Sequence, residues 1–275
     1  MGQIKIGRIH MATALAALLL LTPMAVPSAW ADEEEEETST YTRVALWEVD
    51  RDHWGAFTEF FEKNEQPIVE KLFSDGVITE WGIDANALHK PDGYTHSTWY
   101  SADSMSALAK AGEAYDDAWK SLGGVLDKEF NAMIGRHRDY LLETEGMRST
   151  GATLDGGYFK GHTVQLTNGK GLDFDSYWEN RMKPIYEQLL ADGTIVAYGM
   201  STEALVTNHP GNIDWWYVMP DADALDKVDA AFDASWGDMD KEGRRARWVS
   251  IMDTVEEGTY RSWMTAIIHM QVAAH

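Results

Sequence analysis

The side chains in this sequence that could move a proton are few, and they lie on stretches that read as strands. His96 sits in "YTHSTWY", residues 94–100, and Glu48 in "RVALWEV", residues 43–49. An imidazole titrates near neutral pH and a carboxylate accepts a proton, so either could serve a bound substrate as acid or base. Trp81 and Tyr198 hold matching places in two related stretches, and Gln165, Asp214 and His162 add polar groups on neighbouring strands. Brought together, these residues would form an apolar pocket with a few polar groups, the usual makeup of a small-molecule site. The competing reading is a polar core whose members satisfy only one another.

Other chemistries leave no mark. The sequence has no dinucleotide-binding G-x-G-x-x-G, no P-loop, no H-E-x-x-H and no G-x-S-x-G. Its nine histidines are scattered and include no i, i+4 pair, so no metal site is expected. The acid-rich "DADALD", residues 221–226, lacks the glycine and distal glutamate of a calcium loop and reads as the first turn of a helix. There is no cysteine, which excludes disulfides, thiolate chemistry and lipid attachment through a cleavage-site cysteine.

Charge narrows the partners. The 275-residue chain has a formal charge of −22. Such a surface repels nucleic acid phosphates and anionic lipid headgroups, so neither is an expected partner. The N-terminus reads as a secretory signal: Lys5 and Arg8, an apolar run over residues 11–21, then an A-x-A site at Ala29 and Ala31. The run is too short to span a bilayer, which takes about 20 residues. Cleavage before Asp32 removes two positive charges and takes the formal charge to −24. The mature protein is then periplasmic or secreted, with no membrane span. The following acidic stretch, residues 32–40, reads as a solvated leader. "RRARW", residues 244–248, is a local basic exception, read as a helix face beside acids.

What positions the candidate residues is a repeat. "PIVEKLFSDGVITEWG", residues 67–82, returns as "PIYEQLLADGTIVAYG", residues 184–199. At this offset of 117, Pro67, Glu70, Leu72, Asp75, Gly76, Ile78, Gly82, Ala87 and Leu88 recur. The register shifts by one through the loop with Pro91 and Gly93, which places His96 opposite Asp214. It returns for Leu108, Lys110, Ala114, Asp116 and Trp119. Two copies are too few for a solenoid.

Each copy reads as β-α-β-β-α-β, the split ferredoxin-like motif. In the first, 41–145, strands fall at 43–49, 77–83, 94–100 and 137–145. A helix over 53–74 is interrupted at Pro67 and ended by Gly76, and a second follows the third strand. Residues 146–157 read as a linker, and 158–275 as the second copy, closing with a strand over 261–272. Alternation puts Ala45, Trp47 and Val49 on one face of the first strand and Val44, Leu46 and Glu48 on the other. The former face is assigned to the helices, with His162 and Val164 in the second copy, so Glu48 and Gln165 are expected to point inward.

A four-stranded sheet with helices on one face leaves its other face bare, and two such sheets closing face to face would cover both. The duplicated βαββαβ order resembles the dimeric α+β barrel superfamily, which includes antibiotic-biosynthesis monooxygenase-like and stress-responsive barrel proteins, in a fused form. The resemblance implies an α+β fold in which two tandem ferredoxin-like repeats make an intrachain pseudo-dimeric barrel. It carries over no catalytic residue. Some members bind haem through one histidine, which makes His162 and His269 the residues to test; the sequence itself calls for no cofactor. Two functional readings follow. One is an exported, acidic protein that binds a small apolar or aromatic ligand in the lumen, or docks a protein partner on its surface. The other is a cofactor-independent monooxygenase- or isomerase-like enzyme using His96 or Glu48.

Overall fold

A computed structural model describes residues 39–88, 93–204, 211–237 and 239–275, with the backbone alone for 124–127. The predicted signal and nearly all of the acidic leader lie outside these residues, as do Pro91, His89, His209 and Pro210.

The first copy runs β1 (Thr40–Val49), α1 (Trp54–Asn64), α2 (Gln66–Ser74), β2 (Glu80–Asn86), β3 (His96–Ala102), α3 (Met105–Leu122), α4 (Gly124–Asn131) and β4 (Ile134–Ser149). Pro67 stands in the first turn of α2, where its missing N–H costs nothing, so the break predicted there is a helix restart. Gly76 and Gly193 follow the equivalent helices at φ 69° and 76°, the left-handed conformation a helix exit favours. After a two-residue strand, β5 (Thr153–Leu154), the second copy repeats the plan. It comprises β6 (Tyr158–Gln165), α5 (Gly171–Tyr177), a π turn over Trp178–Met182, α6 (Lys183–Ala191), β7 (Ala197–Glu203), β8 (Asn212–Met219), α7 (Asp223–Ala234), α8 (Lys241–Met252) and β9 (Arg261–Val272). The basic stretch lies on α8, where Arg247 stacks 4.8 Å from the Trp236 ring and donates to the Ser235 carbonyl.

All strand pairings are antiparallel. The order β2-β3-β1-β4-β7-β8-β6-β9 closes on itself through β2–β9, giving an eight-stranded barrel, with β5 added at one end of β9. The long strands β4 and β9 make the closure. β4 pairs with β1 and, from Leu142 onward, with β7; β9 pairs with β6 and then, from Thr265, with β2. The segment read as a linker is therefore partly sheet. β4 runs on to Ser149, and Met147 is buried among lumen-side apolar residues, because the strand must continue to reach the other copy.

The packing has three layers. Phe57, Phe61, Val69, Trp81 and Tyr100 fill the space between the first sheet and its helices. Phe174, Trp178, Tyr186, Tyr198 and Trp215 do so in the second copy. Val44, Trp99, Trp216, Val218 and Met270 lie between the two sheets. This is the arrangement that two sheets with bare inner faces require.

Candidate functional site

The lumen between the sheets holds a cavity of about 460 Å³. One wall is aromatic. Trp99 on β3 and Trp216 on β8 flank Phe159, whose ring centroid is 6.3 Å from the former and 5.6 Å from the latter. Trp99 and Trp216 stand at the 117-residue offset, and each lies over a repeat glycine. A Cβ on Gly82 would overlap the Trp99 indole; one on Gly199 would lie 2.8 Å from Trp216 Cζ2. The recurring glycine is thus there for close approach, not for a turn.

The other walls are polar. Glu80 accepts from Trp99 Nε1 at 3.1 Å and from Ser101 Oγ at 3.0 Å. Asp84 accepts from Ser97 and, across the seam, from Thr265 Oγ1 at 2.5 Å. Asp214 accepts from Thr163. Burial is the main cause pushing Glu80 up to about 7 and Asp84 and Asp214 up to about 6, against the hydrogen bonds that favour their ionised forms. Ser201 meets Thr144 at 2.7 Å and receives Trp216 Nε1 at 3.0 Å, while Arg138 reaches Glu203 at 3.9 Å across β4 and β7.

Of the residues selected from sequence, Asp214 and His96 are among those lining this cavity. The first-strand facing agrees with expectation: Val44 and Leu46 line the lumen, and Trp47 and Val49 pack under the helices. Glu48 shares the inner face but lies beyond the lining at the rim, paired with Arg136, where β1 and β4 shift register. Gln165 shares the face of Thr163 at the strand end and is not part of the lining.

His96 borders the cavity at the start of β3, with its ring turned toward the helices. Its ring packs under α1 against Trp54 and Phe57, with centroids 5.0 and 4.9 Å away, and its Nδ1 meets Thr95 Oγ1 at 3.0 Å. Burial, helped by Arg51, lowers its pKa to about 4, so it is neutral. The reason is register. β2 pairs Asp84 with Ser97 and β7 pairs Ser201 with Asp214, so the 117 offset holds through the third strand and Ser97 is the residue equivalent to Asp214. A slip of one residue exchanges the two faces of a strand.

Trp81 and Tyr198 are equivalent, as expected, but both face the helices. Trp81 donates to Gln271 at 2.9 Å beside Phe61, and Tyr198 stacks on Tyr186 with centroids 5.5 Å apart. Helices demand the more apolar face of β2, which sends Glu80, Gly82 and Asp84 inward. His162 stacks 5.1 Å from Trp215 and meets Tyr260 at 3.0 Å, again on the helix side. Both nitrogens of His269 are engaged, Nδ1 by Asp155 at 2.8 Å and Nε2 by Glu62 at 3.0 Å. Neither histidine is among the residues lining the lumen cavity. Among the described residues, no group of three or more His, Asp or Glu is arranged to hold a metal ion.

A smaller cavity of about 290 Å³ lies on the helix side of the first sheet. There Glu65 accepts from Tyr115, and burial pushes its carboxyl up to about 7. At the 117 offset Glu65 becomes Met182 and Tyr115 becomes Phe232, so the second copy fills the same place with apolar side chains.

No family model and no curated protein matches the sequence. Solved structures do. A candidate monooxygenase from Lactobacillus acidophilus superimposes with a TM-score of 0.59 at 10% identity, over 87% of this chain and 99% of its own. One from Fusobacterium nucleatum does so with a TM-score of 0.60 at 10% identity, over 87% and 97%. The chain has the dimeric α+β barrel fold, fused into one polypeptide. At this identity the fused barrel shares architecture with those proteins, and its site is argued from its own residues.

Proposed function

We propose that the fused barrel is an exported, acidic protein that binds a small aromatic molecule in its lumen. The observation that carries this reading is the 460 Å³ cavity, walled by Trp99, Phe159 and Trp216 and furnished with a few polar groups. A screen of aromatic compounds by tryptophan fluorescence is expected to give saturable quenching. Leu142→Trp, which places a bulky ring on the cavity wall, is expected to weaken it at least tenfold. Quenching that is unchanged in this variant would place the ligand elsewhere. Export rests on residues 1–31, and a mature N-terminus at Asp32, read by mass spectrometry of the exported fraction, tests it.

An enzymatic reading through the same lumen is favoured by one observation, the Glu80 carboxyl held near 7, where an acid-base group works best at neutral pH. Glu80 then takes the acid-base role in place of His96, whose ring packs against Trp54 and Phe57, and of Glu48, which pairs with Arg136 at the rim. Turnover lost in Glu80→Gln with ligand binding retained would support it; turnover unaffected would remove it.

A further inference from the structure

We infer that the lumen is built for a cation, and that its ligand is an aromatic amine whose ring lies on the tryptophan wall and whose ammonium meets Asp84 and Asp214. The inference rests on the lumen reading and names the class of molecule. Four carboxyl groups line the cavity, Glu80, Asp84, Glu203 and Asp214, against Arg138, which is paired with Glu203, and the neutral His96. Glu80, Asp84 and Asp214 are met by hydroxyls, one backbone N–H and one indole N–H, all neutral donors. Buried carboxylates are ordinarily paired with a charge.

A second observation points the same way. Tyr140 is half-buried and lines the cavity, with its ring 5.8 Å from the Arg138 guanidinium, and no hydrogen bond of its hydroxyl is made among the described residues. Burial raises its pKa, and the charges of Asp214, Asp84 and Glu203 raise it further against the opposing charge of Arg138, so the hydroxyl stands in a field that is negative on balance. A group arriving there would find two anionic acceptors and a free hydroxyl oxygen. An ammonium donates to such acceptors; an alcohol leaves the charge unmatched, and a carboxylate is repelled. The tryptophan faces add cation–π attraction in a desolvated setting. Among the described residues these acids form no metal-holding group.

A cation beside these carboxyls stabilises their ionised forms, so binding releases protons and tightens as pH rises. The test is isothermal titration of the full chain with 2-phenylethylamine, 2-phenylethanol and 3-phenylpropionate. The amine is expected to bind at least tenfold tighter than the alcohol at pH 7.5, with the carboxylate weakest. Amine affinity is expected to fall at least threefold at pH 5, with proton release visible as a dependence on buffer. In Asp214→Asn, and in Asp84→Asn as an independent variant, the amine's advantage is expected to shrink to under threefold. The wild-type pH dependence serves if a variant does not fold. Equal or tighter binding of the alcohol or carboxylate overturns the amine inference and leaves the lumen reading standing. No binding by any of the three, with no other aromatic compound quenching, removes both.

Discussion

At the scale of single residues, the lumen is set by three choices: glycine under each tryptophan, carboxyls facing inward on β2 and β8, and hydroxyls opposite them. Gly82→Ala would drive a methyl into the Trp99 indole. It is expected to cost ~1–3 kcal/mol in urea unfolding, the usual penalty for overpacking, and an unchanged midpoint would contradict the packing described. Glu80 gives a pH signature. Its folded pKa, about 7, lies above its unfolded value of 4.5, so between these the native state holds more of the proton. Its contribution therefore falls as pH rises from 4.5 through 7. Glu80→Gln is expected to gain stability relative to the parent between pH 5 and pH 8, and a constant difference would show that the carboxyl is not buried as described. His269 has the opposite chemistry and the same slope. Burial would lower its pKa, but bonds to Glu62 and Asp155 outweigh that and raise it, so its contribution is present below 6.5 and lost as pH climbs through the folded pKa. His269→Gln is expected to lower Tm more at pH 5.5 than at pH 8.5. Little of this was legible in the sequence. Gly82 and Gly199 were visible as a recurring pair, but their meaning lay in Trp99 and Trp216, which only correct registration of the third strand aligns.

At the scale of elements, the sequence spoke clearly where a period or a breaker residue was present. The restart at Pro67, the glycine exits and the closing strand over 261–272 all correspond to elements of the structure. Facing was harder, because a strand has only two faces and one insertion in the loop alignment exchanges them. That single slip moved His96 inward and left Ser97 unnoticed. Trp81 and Tyr198 drew attention as aromatic pairs, yet on a sheet covered by helices the apolar face belongs to the helices. Glu80 and Asp84, two charged residues alternating with Trp81 and Ile83, carried the signal for the inner face. The stretch 146–157, rich in glycine and threonine, concealed the end of β4 because strand pairing there is made with a distant partner, β7.

At the scale of the molecule, the two copies are joined at two seams, β4–β7 and β2–β9, so neither inner face is complete without the other. Unfolding is expected as one cooperative transition, with fluorescence and circular dichroism coincident; two separated transitions would show that the copies stand alone. The central claim is that an aromatic ligand enters between the sheets. Fluorine NMR of the 5-fluorotryptophan-labelled protein, titrated with 2-phenylethylamine and assigned by Trp→Phe variants, tests it most directly. Trp216, which lines the lumen alone, is expected to shift together with Trp99, which borders both cavities, while Trp47 and Trp119, on the helix-side cavity, hold still. Movement confined to Trp47 and Trp119, with both lumen indoles unmoved, would contradict it.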